Sequence, residues 1–277
     1  MAQGGASNLK VKGNFVQTGG SLQQTSGSGT LEFNGVVSQT FTPATVTASS
    51  FLNIRVNNDS GVILTANLPV KNVTISLGNL TGAGLLSYNA TASLLTYNGA
   101  VAQAATATEF PSANGPVSLT IDNTATAPNN VVSVPFTRTL VGTTGTLNLT
   151  NGILDNSTYV LSVPNTASSS VSAGSATSYV KGALERSLPA NLSTNATYSF
   201  PVGKSAFNSF ELINPLTNST AGGVVARVEV VDAATGGTAG NLISALNTDN
   251  YWSVSTSGGT GANFTSSNIK LNDTRNA

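Results

Sequence analysis

The stretch LEFNGVVSQ, residues 31–39, recurs as LTYNGAVAQ, residues 95–103. Each copy alternates apolar and polar residues, reaches an Asn-Gly pair and closes on a glutamine. Alternation at period two predicts a half-buried β-strand. An Asn-Gly pair supplies the positive-φ positions that a tight turn requires. The repeated unit is therefore a strand that ends in a turn.

The segments that follow each copy repeat as well. The matching pairs are NIRVNN at 53–58 with SLTIDN at 118–123, and VTISLGNL at 73–80 with GTLNLTNG at 145–152. The second pair aligns only with an insertion, which we place in a turn. The internal repeat therefore covers about 31–80 and 95–152.

Two architectures fit a repeat of this length. A parallel β-helix uses roughly 20 or more residues per coil, so one repeat would be about three coils. Tandem sandwiches would need longer units, nearer the roughly 100 residues of an immunoglobulin-like domain. We favour the β-helix over residues 1–178, with aliphatic side chains stacked inside and polar side chains outside.

Near Ser178 the character of the sequence changes. Residues 179–189 bring charges and bulky side chains, 223–232 form a long alternating run, and the only tryptophan, Trp252, follows. Antiparallel strands with long connections and a buried aromatic predict a β-sandwich-like domain over 179–277, which would cap the open edge of the solenoid. The predicted fold class is all-β, a parallel β-helix or β-solenoid followed by an antiparallel β-sandwich-like domain. The one short helix candidate is Ala239 to Asn247.

Composition excludes several classes of function. Charged residues make up 8% of the chain and the formal net charge is zero, whereas ordinary globular proteins are about 25% charged. No Lys/Arg run offers the basic stripe that nucleic-acid binding needs. No apolar run approaches the roughly 20 residues of a membrane span, and the absence of cysteine excludes a disulfide framework. The first residues lack the basic and apolar segments of a signal peptide, so we expect an excised piece of a longer protein with Met1 added to it.

Three features together point to a known kind of protein. They are GNFVQTGG at 13–20, the strand and Asn-Gly repeats, and a series within 179–203 (YVKG, RSLP, YSFPVG) that leads to Tyr251-Trp252. With these features the chain resembles, over most of its length, the β-strand-repeat surface proteins of Bacteroidetes, which are large adhesin-like proteins exported by the type IX system. The resemblance implies an extracellular, cell-surface location and an adhesive or scaffolding role. It implies neighbouring domains or copies of the same protein as partners, and it brings no catalytic residues.

The sequence offers few groups for catalysis. Histidine and cysteine are absent, and no Gly-x-Ser-x-Gly nucleophile motif occurs. The carboxylates are spread singly along the chain: Glu32, Asp59, Glu109, Asp122, Asp155, Glu185, Glu211, Glu229, Asp232, Asp249 and Asp273. The nearest pair, Glu229 and Asp232, faces opposite sides of an alternating strand. We interpret these groups as solvated surface charges and predict a non-enzyme without catalytic, cofactor-binding or metal-binding residues.

Calcium is the one cofactor that the sequence brings into question, at the oxygen-rich stretches 57–61 and 247–250. Calcium takes about six to eight oxygens, usually from several carboxylates, and neither stretch matches a known calcium loop. We interpret both as Asx turns.

An isopeptide crosslink would need a lysine buried with an asparagine and an acid, and the lysines in strand-like stretches are Lys12, Lys71 and Lys181. We interpret the Asn-x-Ser/Thr triplets as compositional; they include Asn72, Asn79, Asn89, Asn148, Asn191 and Asn263.

Aromatic side chains are the residues that would stack on sugars. The candidates are Tyr88, Tyr97, Tyr159, Tyr251 and Trp252. Tyrosine and tryptophan in alternating strands more often belong to the core, and we expect Trp252 to lie there.

The leading functional prediction is a structural or adhesive module of a secreted bacterial cell-surface protein. The alternatives are a subunit of a self-assembling extracellular filament or sheath, and a carbohydrate-binding module with surface glycans as its partners. Ice binding is disfavoured, because the Thr-x-Thr pieces at 40–42, 45–47 and 106–108 do not recur at one position of every coil. The residues that bind a ligand stay unassigned.

Overall fold

The computed structural model describes residues 2–4, 8–20, 22–26, 29–44, 51–193, 195–218, 223–232, 250–258 and 263–272. These residues contain β-strands and one 3₁₀ turn but no α-helix, so the all-β prediction is confirmed for this part of the chain. In chain order the elements are β1 (Ala2–Gly4), β2 (Leu9–Val11), β3 (Phe15–Val16), β4 (Gln23–Ser26), β5 (Leu31–Phe33), β6 (Gln39–Thr42), β7 (Leu52–Asn57), β8 (Val62–Leu64), β9 (Leu68–Leu77), β10 (Leu80–Thr81), β11 (Leu86–Tyr88), β12 (Leu94–Tyr97), β13 (Gln103–Ala104), β14 (Ser118–Asp122), β15 (Val131–Ser133), β16 (Arg138–Thr139), β17 (Leu147–Asn151), β18 (Ile153–Val163), η1 (Ser168–Ser170), β19 (Val180–Leu188), β20 (Thr197–Phe200), β21 (Val202–Gly203), β22 (Phe210–Asn218), β23 (Val224–Asp232), β24 (Asn250–Gly258) and β25 (Asn263–Leu271). The helix candidate Ala239 to Asn247 lies outside the described residues.

The first sheet runs along one side of a parallel β-solenoid. Its strands follow the order β2-β5-β7-β9-β12-β14-β17, with β11 beside the start of β9, and every pair is parallel. Each step along this sheet is one coil, which takes 19 positions from Ile54 to its partner Val73 and 28 from Leu119 to Leu147. The predicted solenoid is thus confirmed, with about eight turns.

The repeated segments of the sequence occupy equivalent places in this sheet. Strand β5 and strand β12, which begin the two copies, lie three strands apart, and so do β7 and β14. Phe33 in the first copy and Tyr97 in the second both point into the interior, where neither is exposed.

The opposite side of the solenoid is divided between two sheets. The second sheet has the parallel order β3-β6-β8-β10 and stops at β10. Later coils contribute to a third sheet, in which β13, β15, β18 and β19 are parallel. Strand β19 then pairs antiparallel with β23, and β23 with β24. A further antiparallel sheet has the order β20-β22-β25. The predicted change from parallel to antiparallel strands is therefore present.

One buried cluster runs through the whole described fold, from Leu22 in the first coils to Val230 in β23. Stacked coils place like side chains above one another, as Phe15 and Phe41 show, which are register partners on β3 and β6, and Phe33 meets Phe41 from the first sheet across the interior. The ring of Phe41 lies 5.4 Å from that of Phe15 and 5.1 Å from that of Phe33, centroid to centroid. Burial of such side chains from water is the main force that holds the coils together.

Arg186 lies at the junction between the parallel and antiparallel strands and is completely buried. Its guanidinium donates to the carbonyl oxygens of Ser199 at 2.6 Å, Ala167 at 3.1 Å and Ser168 at 2.7 Å. It also lies over the ring of Tyr198, 5.1 Å from the centroid. Burial lowers the pKa of Arg186 to about 10, which is still high enough to keep the side chain charged at neutral pH. The residue fastens η1 to strand β20 across β19.

Candidate functional site

An open groove of about 440 Å³ lies on the outer face of the first sheet, near the amino ends of β12, β14 and β17. Strand β9 forms one wall, and the segments that lead into β12 and β17 form the others. The groove is lined by Lys71, Asn72, Thr91, Ala92, Ser93, Leu94, Val117, Ser118, Thr144, Thr146 and Asn148. Among these lining residues Lys71 alone is charged, so the groove is polar with one positive group.

Hydrogen bonds between coils fix the orientation of the polar side chains in this groove. The amide nitrogen of Asn72 donates to Asn53 Oδ1 at 3.0 Å, one coil below. The amide nitrogen of Asn148 donates to Thr146 Oγ1 at 3.2 Å, and the backbone N–H of Thr146 donates to Ser118 Oγ at 3.1 Å. Because their nitrogens are used inside the ladder, Asn72 and Asn148 are held in fixed orientations before any ligand arrives.

A short row of threonines continues from the groove across the same face. Thr74, Thr96 and Thr120 are register partners on β9, β12 and β14. This row involves none of the predicted Thr-x-Thr pieces. Thr108 is buried, the hydroxyl of Thr106 donates to the carbonyl of Leu80, and residues 45–47 lie outside the described residues. The described face therefore carries one column of three threonines rather than paired columns.

A glutamine and an asparagine close the corner of the solenoid after β12. Gln103 Oε1 accepts hydrogen bonds from Gly99 N at 2.9 Å and from Asn123 Nδ2 at 3.0 Å. Gln103 Nε2 donates to Ile75 O at 2.8 Å, and Asn123 Nδ2 also donates to Val101 O at 2.6 Å. This buried pair connects three successive coils through their backbone groups.

The first copy of the repeat builds the same corner with Gln39 and Asn58. Gln39 Oε1 accepts from Gly35 N at 2.8 Å and from Asn58 Nδ2 at 2.9 Å. Gln39 Nε2 donates to Val11 O at 2.9 Å. Both glutamines end the repeated stretches 31–39 and 95–103, but the alternation of those stretches predicts no role for them. Their recurrence at the end of both copies was the signal that could have revealed one.

Glu109 occupies the place where the second sheet stops. Its Oε2 accepts the backbone N–H of Leu80 in β10 at 2.9 Å, a donor that a further strand would otherwise pair. Its Oε1 accepts Tyr97 OH at 3.0 Å and Thr106 N at 3.0 Å. The hydroxyl of Tyr88 donates to the backbone carbonyl of Glu109 at 2.7 Å. The carboxylate thus substitutes for strand backbone inside the solenoid.

Burial raises the pKa of Glu109 to about 7, although hydrogen bonds from Leu80, Thr106 and Tyr97 act in the opposite direction. Burial likewise raises the pKa values of Tyr88 and Tyr97 well above their usual range. A raised carboxyl pKa is a property of many catalytic acids. Here the side chain is 0% exposed, so substrate has no access to it and its role is structural.

The interpretation of every carboxylate as a solvated surface charge is therefore wrong for Glu109, and also for Glu32, which is buried. Elsewhere the acids pair singly with bases. Asp232 lies 2.9 Å from Lys204, and Glu229 lies 3.3 Å from Arg227. In the described stretches of the chain, no group of three or more acidic side chains is placed to hold a metal ion.

The first oxygen-rich stretch, 57–61, forms the predicted Asx turn. Asn58 Oδ1 accepts Ser60 N at 3.0 Å, and Gly61 follows with φ of 76°. The second stretch lies outside the described residues except for Asn250. Among the Asn-x-Ser/Thr triplets, Asn89 caps its own turn by accepting Thr91 N at 3.0 Å.

The lysine candidates for a crosslink are not buried together with an asparagine and an acid. Lys12 and Lys71 are exposed. Lys181 is partly exposed and forms an ion pair with Asp155, 2.9 Å between Nζ and Oδ2. The hydrogen bond that Lys181 Nζ donates to this aspartate raises the pKa of Lys181.

The aromatic candidates divide between core and surface. Tyr88 and Tyr97 are buried, whereas Tyr159 and Tyr251 are 42% and 40% exposed. Trp252 is partly buried, packs against the core and donates from Nε1 to Asn208 O at 2.8 Å. None of these five residues lines the polar groove.

Comparison with known proteins gives no match. No protein-family model, no curated protein sequence and no solved structure is similar enough to this chain to be matched. No helix in the described ranges is long and apolar enough to cross a membrane.

Proposed function

We propose that the chain is a structural and adhesive module of a secreted bacterial cell-surface protein, of the Bacteroidetes β-strand-repeat kind, without catalytic activity. The observation that carries the proposal is the use made of buried polar side chains. Gln39, Gln103 and Glu109 all bind backbone groups of neighbouring coils. Such bonds stiffen a solenoid along its axis and leave the buried groups unable to reach a substrate.

The proposal includes a β-sandwich-like cap, formed by the antiparallel C-terminal strands. The sheets that contain β23 and β22 contribute to one buried cluster, with Val228 on the first and Leu212 on the second. Arg186 ties both to the last coil. A cap of this kind covers the end of a solenoid, which would otherwise offer unpaired strand edges to other chains.

Single-molecule stretching of the intact chain tests whether these bonds stiffen the solenoid along its axis. We expect the solenoid to yield in steps of whole coils and at higher force than a variant that carries Gln39→Leu and Gln103→Leu. The outward substitution Thr96→Val is the matched control and should leave the force unchanged. Equal unfolding forces for the double variant and the intact protein would contradict the proposal.

Carbohydrate binding is a second candidate, favoured by the polar groove. Its hydroxyl and amide groups suit sugar hydroxyls, and the single charge of Lys71 favours an acidic sugar. Titration with neutral and uronate-containing oligosaccharides tests this. We expect Lys71→Ala to weaken binding of the acidic sugars only, and Lys12→Ala, which removes an exposed lysine elsewhere, to have no effect. If no oligosaccharide binds, the groove is not a glycan site.

A self-assembling filament is a third candidate, favoured by strand β24. Among the described residues β24 is the last strand of the third sheet, it carries no charged side chain, and Val254 is 43% exposed. Uncharged edges of this kind are prone to pair with other chains. Electron microscopy of the purified chain should show filaments that Val254→Lys abolishes. Isolated short rods in both samples would exclude assembly through this edge.

A further inference from the structure

The sequence contains four Asn-Gly pairs, and one of them differs from the others in its hydrogen bonds. In three pairs the glycine N–H is held by a hydrogen bond. Gly35 N donates to Gln39 Oε1 at 2.8 Å, Gly99 N to Gln103 Oε1 at 2.9 Å, and Gly152 N to Thr177 O at 3.1 Å.

Two of these asparagines are also held through their side chains. Asn98 Oδ1 accepts the hydroxyl of Ser76 at 2.7 Å, and Asn151 Nδ2 donates to Asp122 Oδ1 at 2.7 Å. Asn34 is partly buried. The glycine nitrogen is therefore restrained in all three pairs and the asparagine side chain in two of them, whereas Asn34 Oδ1 is buried without a hydrogen-bond partner among the described residues.

The fourth pair, Asn114-Gly115, lacks these restraints. Asn114 is exposed and has φ of 55°. Within the described residues, neither the Asn114 carboxamide nor the Gly115 N–H has a hydrogen-bond partner. The backbone carbonyl of Asn114 alone is engaged, since it accepts Tyr88 N at 2.9 Å.

We propose that Asn114 is a site of spontaneous deamidation through a cyclic imide. The Gly115 nitrogen loses its proton to hydroxide and forms a bond to Asn114 Cγ, and the Cγ–Nδ2 bond breaks with release of ammonia. Water then opens the five-membered ring at either carbonyl, which leaves aspartate or isoaspartate. Glycine has no side chain to hinder the attack, and for this reason an Asn-Gly pair is the most susceptible kind.

The same chemistry assigns a second role to Gln39 and Gln103. Each accepts a hydrogen bond from the glycine nitrogen that would have to attack the preceding asparagine. While that bond is intact, the nitrogen cannot lose its proton or turn towards Cγ. The corner glutamines Gln39 and Gln103 therefore protect the Asn-Gly turn of each repeat from deamidation, and they also connect the coils.

Conversion to isoaspartate would lengthen the main chain by one atom at Asn114 and add one negative charge. The turn lies between two anchored points, since Tyr88 N binds Asn114 O at 2.9 Å and Val141 N binds Pro116 O at 3.0 Å. The added atom would displace the first of these bonds and loosen the approach to strand β14.

Peptide mapping by mass spectrometry tests the proposal on the intact chain. The protein is incubated in mildly alkaline buffer made with ¹⁸O-water, folded in one sample and unfolded in urea in the other. In the unfolded chain we expect the four pairs to react at similar rates. In the folded chain we expect Asn114 to react about tenfold faster than the other three, because their hydrogen bonds must open first. Because Gly115 is itself buried, Asn114 should still react more slowly than in urea.

Two variants separate the local chemistry from general unfolding. Gln103→Ala should accelerate deamidation of Asn98 about tenfold and leave Asn34 unchanged, since only the Gly99 nitrogen is released. Gly115→Ala should slow the reaction at Asn114. Equal rates for the four pairs in the folded wild-type chain, or a faster reaction at Asn98 than at Asn114, would overturn the proposal, and this comparison does not depend on whether a variant folds.

Discussion

Substitution of Gln103 by leucine removes one corner of the solenoid while keeping a side chain of similar size. The wild-type side chain is 6% exposed and makes three hydrogen bonds, to Gly99 N, Ile75 O and Asn123 Nδ2. Leucine can replace none of them. Gly99 N loses its partner, whereas Ile75 O keeps a bond from Asn98 N at 3.1 Å and Asn123 Nδ2 keeps its bond to Val101 O at 2.6 Å.

The cost follows from these lost bonds. A buried donor or acceptor left without a partner costs about 1–3 kcal/mol. One such group, the Gly99 N–H, predicts a loss of roughly 2 kcal/mol in the free energy of unfolding, and the gain from burying an apolar side chain offsets part of it. Adding Asn123→Leu should cost less than its effect alone, because the two residues share a bond, with a coupling energy of about 0.5–3 kcal/mol.

Urea unfolding followed by circular dichroism measures the total loss. Hydrogen exchange at the Gly99 amide shows whether the loss is local, which matters because repeat proteins often unfold in parts. Thr96→Val on the outer face is the control and should stay within about 0.5 kcal/mol of wild type. If Gln103→Leu costs no more than this control, the corner does not stabilise the solenoid and our reasoning fails.

Further predictions concern other buried groups. The pKa of Glu109 is raised from 4.5 to about 7, so the folded chain holds its proton more tightly and this stabilisation is complete below about pH 4.5 and lost as the pH rises through 7. Urea titrations at several pH values should show that the wild-type free energy of unfolding falls by about 3 kcal/mol over this range. The variant Glu109→Gln should lack this pH-dependent fall. Arg186→Met should cost about 2–4 kcal/mol by urea unfolding, because it removes the charged donor from the carbonyls of Ser199 and Ser168, whereas Ala167 O keeps a bond from Ser170 N at 3.0 Å. Arg227→Met, which breaks a partly exposed ion pair, should cost at most about 1 kcal/mol. Gly78→Ala should lower the melting temperature sharply, because Gly78 has φ of 73° and a Cβ there would lie 1.9 Å from Asn58 O, whereas Gly19→Ala meets nothing within 4 Å and should be neutral.

The parallel strands could be predicted from the sequence because their signals are local. Alternation over a few residues shows which side chains face inward, as for Leu31 and Phe33, and the Asn-Gly pairs mark the turns. The repeat added the long-range part, since two copies of the same strands are most simply placed in one stack.

The buried polar groups could not be predicted in this way. The partner of Gln103 is Asn123, which lies 20 residues away on the next coil, and alternation gives no information about such pairs. The sequence predicts Glu109 to be a surface charge, because an unpaired buried charge is rare, and it assigns Arg186 no role beyond membership of the charged and bulky segment 179–189. The polar groove was missed because its residues come from four strands that are distant in the sequence.

A common principle connects these buried groups. A parallel solenoid satisfies its backbone only where another coil lies above, and the described residues include three places where a buried side chain takes the part of a strand that ends or turns. Gln103 accepts the Gly99 N–H at the corner after β12, and Glu109 accepts the Leu80 N–H where the second sheet ends. Arg186 donates to the Ser199 carbonyl where the parallel strands are followed by antiparallel ones. In each place a long polar side chain supplies the donor or acceptor that the missing strand would have supplied. Part of the chain's small charge content is therefore used inside the fold, and variants of these residues should weaken the module more than variants of its exposed ion pairs.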